Sequence, residues 1–224
     1  MKKLFVEARY KNKIKLNTED IPKLPNKLIL ATTIQYFDSL TDIKKQLEDA
    51  GKQVQLFKGK HQKYPGQVLG CSIDKIDDEG AFFYIGDGLF HPIAFMIKNK
   101  DKDVFVFNPF MNQLKPLEKD YVDKFEKGLK ENKNKYNQAE KIGIIVTTKP
   151  GQERLQDAIE LKKRLDTTNK QSQIFLCNTA DFSQLINFNY IQCWVNTMCP
   201  RIAYDDTINI ERPIVNIDEI NLMK

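Results

Sequence analysis

No stretch of this chain of 224 residues approaches the roughly 20 consecutive apolar residues that a membrane-spanning helix needs. The opening Met1-Lys2-Lys3-Leu4-Phe5-Val6 is too short for a secretory signal, so a soluble, cytoplasmic protein without membrane contact is expected. Charge of one sign is lacking too. The 35 basic and 30 acidic residues leave a net charge of +5 spread along the chain rather than gathered in one arm, too weak a field to argue for nucleic acid. Cys71, Cys177, Cys193 and Cys199 form no CxxC pair, which removes the usual zinc spacing. In a cytosolic chain, four cysteines are more often buried hydrophobes, metal ligands or redox thiols than disulfides. No Walker A, GxSxG or HExxH sequence is present, so the common hydrolase classes gain little support.

What is present is a 41% hydrophobic content, enough for one large core or two small ones, and a repeated alternation of apolar runs and amphipathic stretches. Leu28 to Thr33 is an apolar run ending in two small hydroxyl residues, and Ser39 to Gly51 reads as the helix it feeds, with a glycine at its end. Val54 to Phe57 and Ala81 to Ile85 follow as short strands, the second stopped by Gly86-Asp87-Gly88. Phe90 to Lys98 reads as a helix and Val104 to Phe107 as a fourth strand. The order then begins again: strand Lys141 to Thr148, ending in a second threonine pair, helix Gln152 to Asp166, and strands Gln173 to Leu176, Gln192 to Asn196 and Pro213 to Val215. The basic stretch Lys124 to Lys141, interleaved with Glu126, Glu131 and Glu140, reads as a solvated helix or tether.

These patterns predict an α/β protein made of two copies of one unit, residues 1–138 and 139–224, joined by the polar segment Leu117 to Glu140. Each copy is expected to hold a mostly parallel sheet flanked by helices. Ligands of such sheets gather at the carboxyl ends of the strands. Thr32-Thr33, Gly86-Asp87-Gly88, Thr147-Thr148 and Asn196 to Cys199 all fall at that edge, so the site is expected between the two copies.

Read residue by residue, each candidate has a plain alternative. Cys71, after Gly66-Gln67-Val68-Leu69-Gly70, is either a packed cysteine or a ligand that Gly70 lets the backbone approach. Cys199 is the more suggestive thiol, just past a strand end, with Pro200 fixing the following turn and Arg201 nearby. Cys193 inside a strand and Cys177 at a strand end read as structural. Gly86-Asp87-Gly88 before Phe90-His91-Pro92 is either an anion-presenting turn or an ordinary strand-to-helix connection, with His91 a capping or core residue.

Taken together and in order, several segments resemble the 2-(3-amino-3-carboxypropyl)histidine synthases that begin diphthamide synthesis. They are Ala31-Thr32-Thr33-Ile34-Gln35, Gly66 to Cys71, Tyr84 to Pro92, Phe107-Asn108-Pro109-Phe110, Thr147 to Gln152, and Val195-Asn196-Thr197-Met198-Cys199-Pro200-Arg201 on to Asp206. The resemblance implies three similar α/β domains, each giving one cysteine to a 4Fe-4S cluster, with Cys71 and Cys199 as the metal ligands of the second and third. Three thiolates leave one iron open for S-adenosylmethionine, whose 3-amino-3-carboxypropyl group passes as a radical to a histidine of translation elongation factor 2. In archaea the family forms homodimers, and in eukaryotes pairs of related subunits. It further implies that Gly86, Asp87 and Gly88 shape the cofactor pocket, and that Thr32, Thr33, Gln35, Thr147, Thr148, Gln152 and Arg201 hold the amino-acid end. For Arg201 a bidentate grip on a carboxylate stands level with an ion pair to Asp205 or Asp206.

The family's first domain and its cysteine have no counterpart in this sequence, and Tyr36 stands where a histidine commonly follows the glutamine. The expected arrangement is therefore a split enzyme, a separate chain supplying the first domain and third cysteine. A non-catalytic accessory subunit and a two-lobed, metal-free metabolite-binding protein are the alternatives.

Overall fold

A computed structural model describes residues 6–60, 62–70, 73–149, 151–179, 181–205 and 211–221, with residues 205 and 221 as backbone alone. The chain divides into two compact units, Met1–Asp123 and Lys124–Lys224. No described helix is long and apolar enough to cross a membrane.

The first unit is built on five strands: β1 Lys27–Thr32, β2 Gln53–Leu56, β3 Ala81–Ile85, β4 Val104–Asn108 and β5 Gln113–Pro116. Their order is β2-β1-β3-β4-β5. The first four are parallel, and β5 returns antiparallel to β4. All five residues of β3 are buried, as expected of a central parallel strand covered on both faces. Successive side chains point to opposite faces, so Leu28 and Leu30 of β1 join one apolar layer and Ile29 and Ala31 the other. Helix α1, Leu40–Asp49, covers the first layer with Leu40, Ile43 and Leu47, a spacing that puts all three on one helical face. Helix α2, Phe90–Lys98, covers the second with Ala94, Phe95 and Met96.

The described residues before β1 include no strand, yet Ile14, Leu16, Ile21 and Leu24 are buried in the α1 layer. Ser39 and Gln46 hold them there: Ile14 N donates to Ser39 Oγ at 3.1 Å, and Leu16 N to Gln46 Oε1 at 3.0 Å.

Helix α3, Asp120–Gln138, makes the polar stretch the helix of the two expected alternatives, though not a wholly solvated one. Its polar composition concealed Val122 and Tyr136, which are buried and make the segment a packed element. The division between the units falls within this helix.

The second unit has strands β6 Lys141–Thr147, β7 Gln171–Cys177, β8 Cys193–Asn196 and β9 Ile214–Asn216, with α4 Leu155–Asp166, α5 Ile202–Asp205 and α6 Ile217–Asn221. Its sheet is parallel throughout, in the order β7-β6-β8-β9. Counted from the first strand of each unit, the four parallel strands thus repeat one order, second-first-third-fourth. Ala158, Leu161 and Leu165 of α4 close one face. The other holds Trp194, Ile145, Ile214 and Ala203, with Phe182 and Leu185 of the short 3-10 helix Phe182–Asn187 and Phe188 just after it.

Candidate functional site

The shared strand order has a functional corollary. In each unit the first strand lies between the second and the third, and the connecting helices α1 and α2, or α4 and α5, pack on opposite faces of the sheet. Loops leaving the first and third strands therefore diverge, opening a crevice at their carboxyl ends where ligands of such sheets bind. In the first unit that crevice lies between Thr32 and Ile85, which are register partners. In the second it lies where β6 adjoins β8, at the level of Ile145 and Asn196.

At the first crevice Thr32 is fully buried and its hydroxyl donates to Ile85 O at 2.8 Å, so it clamps β1 to β3. The run toward Cys71 is stitched to the same strand end: Thr32 N donates to Gly66 O at 2.9 Å and Val68 N to Thr32 O at 2.8 Å. Gly70 packs directly against the Phe90 ring. Cys71 itself lies outside the described residues.

Beneath the Gly86-Asp87-Gly88 turn sit two buried phenols. A β-carbon on Gly86 would lie 2.5 Å from the Tyr84 hydroxyl, so only glycine fits there. Gly88 is exposed at φ +71°, a conformation that favours glycine. The Tyr36 hydroxyl donates to Asp87 Oδ1 at 3.0 Å and accepts from Gln35 Nε2 at 3.1 Å. Tyr84 OH is 3.4 Å from His91 Nδ1. Burial, with the Asp87 carboxylate second, pushes both phenols above their usual range, so they remain neutral at working pH. The Thr33 hydroxyl is buried beside Tyr84 without a hydrogen bond of good geometry. A buried, unsatisfied hydroxyl is costly, and at a strand-end crevice it fits a place where a ligand's polar group docks.

At the second crevice the bracing residues are two buried asparagines: Asn196, at the start of the turn the sequence places at this edge, and Asn216, which the sequence did not single out. Asn196 Nδ2 donates to Cys199 O at 2.9 Å and to Asn216 Oδ1 at 2.7 Å, while Asn196 Oδ1 accepts from Met198 N at 3.0 Å. Asn216 Nδ2 donates to Pro200 O at 3.0 Å. The Thr197 hydroxyl ties the same loop to Ile145 O at 2.8 Å. The loop thereby holds Cys199 as a partly exposed free thiol, with Arg201 buried close behind it in the chain.

The other second-unit candidates are directed elsewhere. Thr147 is buried and Thr148 exposed, and both hydroxyls lie 3.4 Å from Asn178 on the β7 side. Gln152 is exposed in the following turn, with its backbone N–H on Lys149 O. The side chains of Asp205 and Asp206, offered as partners for Arg201, lie outside the described residues.

The described thiols separate by environment. Cys193 is completely buried in β8, and burial pushes its thiol up to about 12. Burial also raises Cys177, whose thiol lies 3.7 Å from Val146 O. The thiolate is the reactive form. A Cys193 thiol therefore stays protonated until pH rises through about 12. Iodoacetamide at pH 8 should label Cys199 and leave Cys193 intact in the native chain; mass spectrometry of tryptic peptides reads both. Equal labelling would show that β8 is not packed as described.

The family model described as "Putative diphthamide synthesis protein" matches residues 1–224. The chain belongs to this family. The 2-(3-amino-3-carboxypropyl)histidine synthase of Pyrococcus horikoshii is 29% identical over 222 residues, covering 98% of this chain and 63% of the relative. The enzyme of the same name from Methanocaldococcus jannaschii is 29% identical over 218 residues, covering 96% and 57%. Among solved structures, the crystal structure of Dph2 from Pyrococcus horikoshii with a 4Fe-4S cluster superposes with a TM-score of 0.77 at 28% identity, over 91% of this chain and 58% of that one. The chain thus spans about three fifths of the length of the relatives it matches. It carries the family's mixed α/β fold, with two mostly parallel sheets flanked by helices.

An iron–sulfur cluster asks for several thiolates. Among the described residues no three His, Cys, Asp or Glu side chains gather where they could hold a metal. Of the two partly exposed thiols among the described residues, Cys177 and Cys199, Cys199 stands on the braced loop that follows β8. The described donor set fits one corner of such a cluster.

Proposed function

We propose that this chain is part of a 2-(3-amino-3-carboxypropyl)histidine synthase, acting in the cytoplasm on a histidine of translation elongation factor 2, with S-adenosylmethionine as the group donor. The observation that carries this reading is Cys199, a free thiol at the strand-end crevice of the second unit, on a loop fixed by Asn196 and Asn216, in a chain whose whole length matches the family. The two units correspond in this reading to the family's second and third domains, with the division falling inside α3.

Cys71 and Cys199 are two thiolate ligands of a 4Fe-4S cluster in this scheme, and the third comes from polypeptide outside these 224 residues, equivalent to the family's first domain. When bound, the cluster supplies the electron that cleaves a carbon–sulfur bond of the sulfonium. The chain's own residues bind and orient. Gly86 and Gly88 let the β3 turn approach the donor closely, Thr33 offers its unsatisfied hydroxyl, and Arg201 pairs the donor's carboxylate as a guanidinium fork. Thr32 and Thr147 act from behind by fixing the strand ends, while Gln35, Thr148 and Gln152 line the approaches. Pairing with a second copy or a related subunit completes the assembly.

The test is anaerobic iron and acid-labile sulfide analysis, with electron paramagnetic resonance after reduction, on the chain alone and co-expressed with a first-domain polypeptide. The expected result is a cluster only on co-expression, lost in Cys71→Ala and in Cys199→Ala and kept in Cys193→Ala. If no cluster forms with that partner, the enzyme reading fails and an accessory or metal-free binding role replaces it.

A further inference from the structure

The polar network under the β3 turn runs in an unusual direction. A buried side chain, Tyr36, spends its hydroxyl on an exposed one, Asp87. Burying a hydroxyl is costly unless it is paired, and pairing it inward would have served the core equally well. Instead Gln35 Nε2 donates to Tyr36 OH, and Tyr36 OH donates onward to Asp87. That is the one hydrogen bond Asp87 makes among the described residues, so its second oxygen is left to solvent or ligand.

The Tyr36 ring is itself fixed. Tyr10 and Phe110 pack against it edge-on, with centroids 5.6 Å and 6.1 Å away, and Phe110 is 59% exposed. Leu89 and Phe90, immediately after the turn, are exposed as well. A carboxylate is thus held in one orientation at a crevice mouth, flanked by apolar rings and backed by two neutral phenols. That surrounding recognises a cation carried on hydrocarbon, and a carboxylate with a fixed free oxygen suits a primary ammonium through a charge-assisted hydrogen bond.

We infer that Tyr36 is a positioning residue whose hydroxyl orients Asp87 to accept a primary ammonium of the ligand. The inference rests on the proposed function, in which that group is the α-ammonium of the 3-amino-3-carboxypropyl moiety. It assigns the ammonium to Asp87 in the first unit and gives Tyr36 a stated task.

Isothermal titration of the chain co-expressed with the first-domain polypeptide, against S-adenosylhomocysteine and against 5′-methylthioadenosine, which lacks the aminocarboxypropyl chain, tests it. Tyr36→Phe keeps the ring and removes the hydroxyl; Asp87→Asn keeps an acceptor for Tyr36 and removes the charge. Each variant should weaken S-adenosylhomocysteine binding by about tenfold, the worth of one charge-assisted hydrogen bond, and leave 5′-methylthioadenosine within about twofold. Loss of affinity for both ligands alike would mark a structural role and overturn the inference, as would variants that bind both as the unaltered chain does. If the unaltered co-expressed assembly binds neither ligand, the proposed function falls and the inference with it, a result distinct from the other two.

Discussion

Gly143→Ala is expected to destabilise the second unit by about 3 kcal/mol, at the upper end of what overpacking a core costs. Gly143 lies within β6, the strand flanked on both sides by β7 and β8, where it pairs with Gln173 and Trp194. Residues directly opposite in a parallel register share a face, so a methyl group at this position points at the indole. An added β-carbon would overlap Trp194 Cζ3 and Cε3 and lie 3.1 Å from Cη2. The indole has nowhere to retreat: it is fully buried, with Phe175 edge-on at 5.0 Å and Phe188 at 6.3 Å. A central strand paired on both edges cannot shift without breaking two ladders. At roughly 4–8 °C per kcal/mol for a unit of this size, the melting temperature should fall by more than about 10 °C. Trp194→Leu in the same chain should recover part of the loss, because removing the indole opens the space the methyl needs. A single variant that melts within about 2 °C of the unaltered chain would show that Trp194 does not occupy this position.

The second large effect is expected of Asn196→Ala. Truncation strands three groups at once: Met198 N–H, Cys199 C=O and Asn216 Oδ1 each lose the partner that Asn196 supplies. Both asparagines are 2% exposed, so water does not readily replace the missing amide. A buried group left unsatisfied costs about 1–3 kcal/mol; with partial relaxation of the loop the expected loss is about 3 kcal/mol. The more telling readout is chemical. The amide anchors the carbonyl of Cys199 itself, so a freed loop should expose that thiol, and its alkylation at pH 8 should accelerate by severalfold while Cys193 stays unlabelled. Unchanged alkylation beside a lowered melting temperature would mean that other contacts hold the thiol. Asn216→Ala tests the same brace from the other side, since it also releases Pro200 O.

Much of the local structure was legible in the sequence because local signals agreed. Ala81–Ile85 is an unbroken apolar run stopped by a glycine turn, and Phe90–Lys98 begins directly after it; both elements have the bounds that the pattern predicts. Strand β5, Gln113–Pro116, carries the alternating polar residues and terminal proline of an edge strand and gave too little signal to be read. The 3-10 turn Ile34–Ser39 was likewise silent. It is nevertheless what carries Tyr36 under the β3 turn, because six residues of tight helix redirect the chain between β1 and α1.

The sequence by itself determined the α/β alternation, the parallel sheets and, through its ordered motifs, the family; these rest on short-range patterns and on residue identity. Tertiary structure alone decided the strand order, and with it the crevice, since which strands pair depends on contacts between residues far apart in the chain. It also decided which polar residues build the edge. Asn216 reaches Asn196 across 20 positions and Asp87 reaches Tyr36 across 51. An asparagine or tyrosine in a sequence does not announce its partner, because a hydrogen bond is fixed by where the fold brings donor and acceptor together.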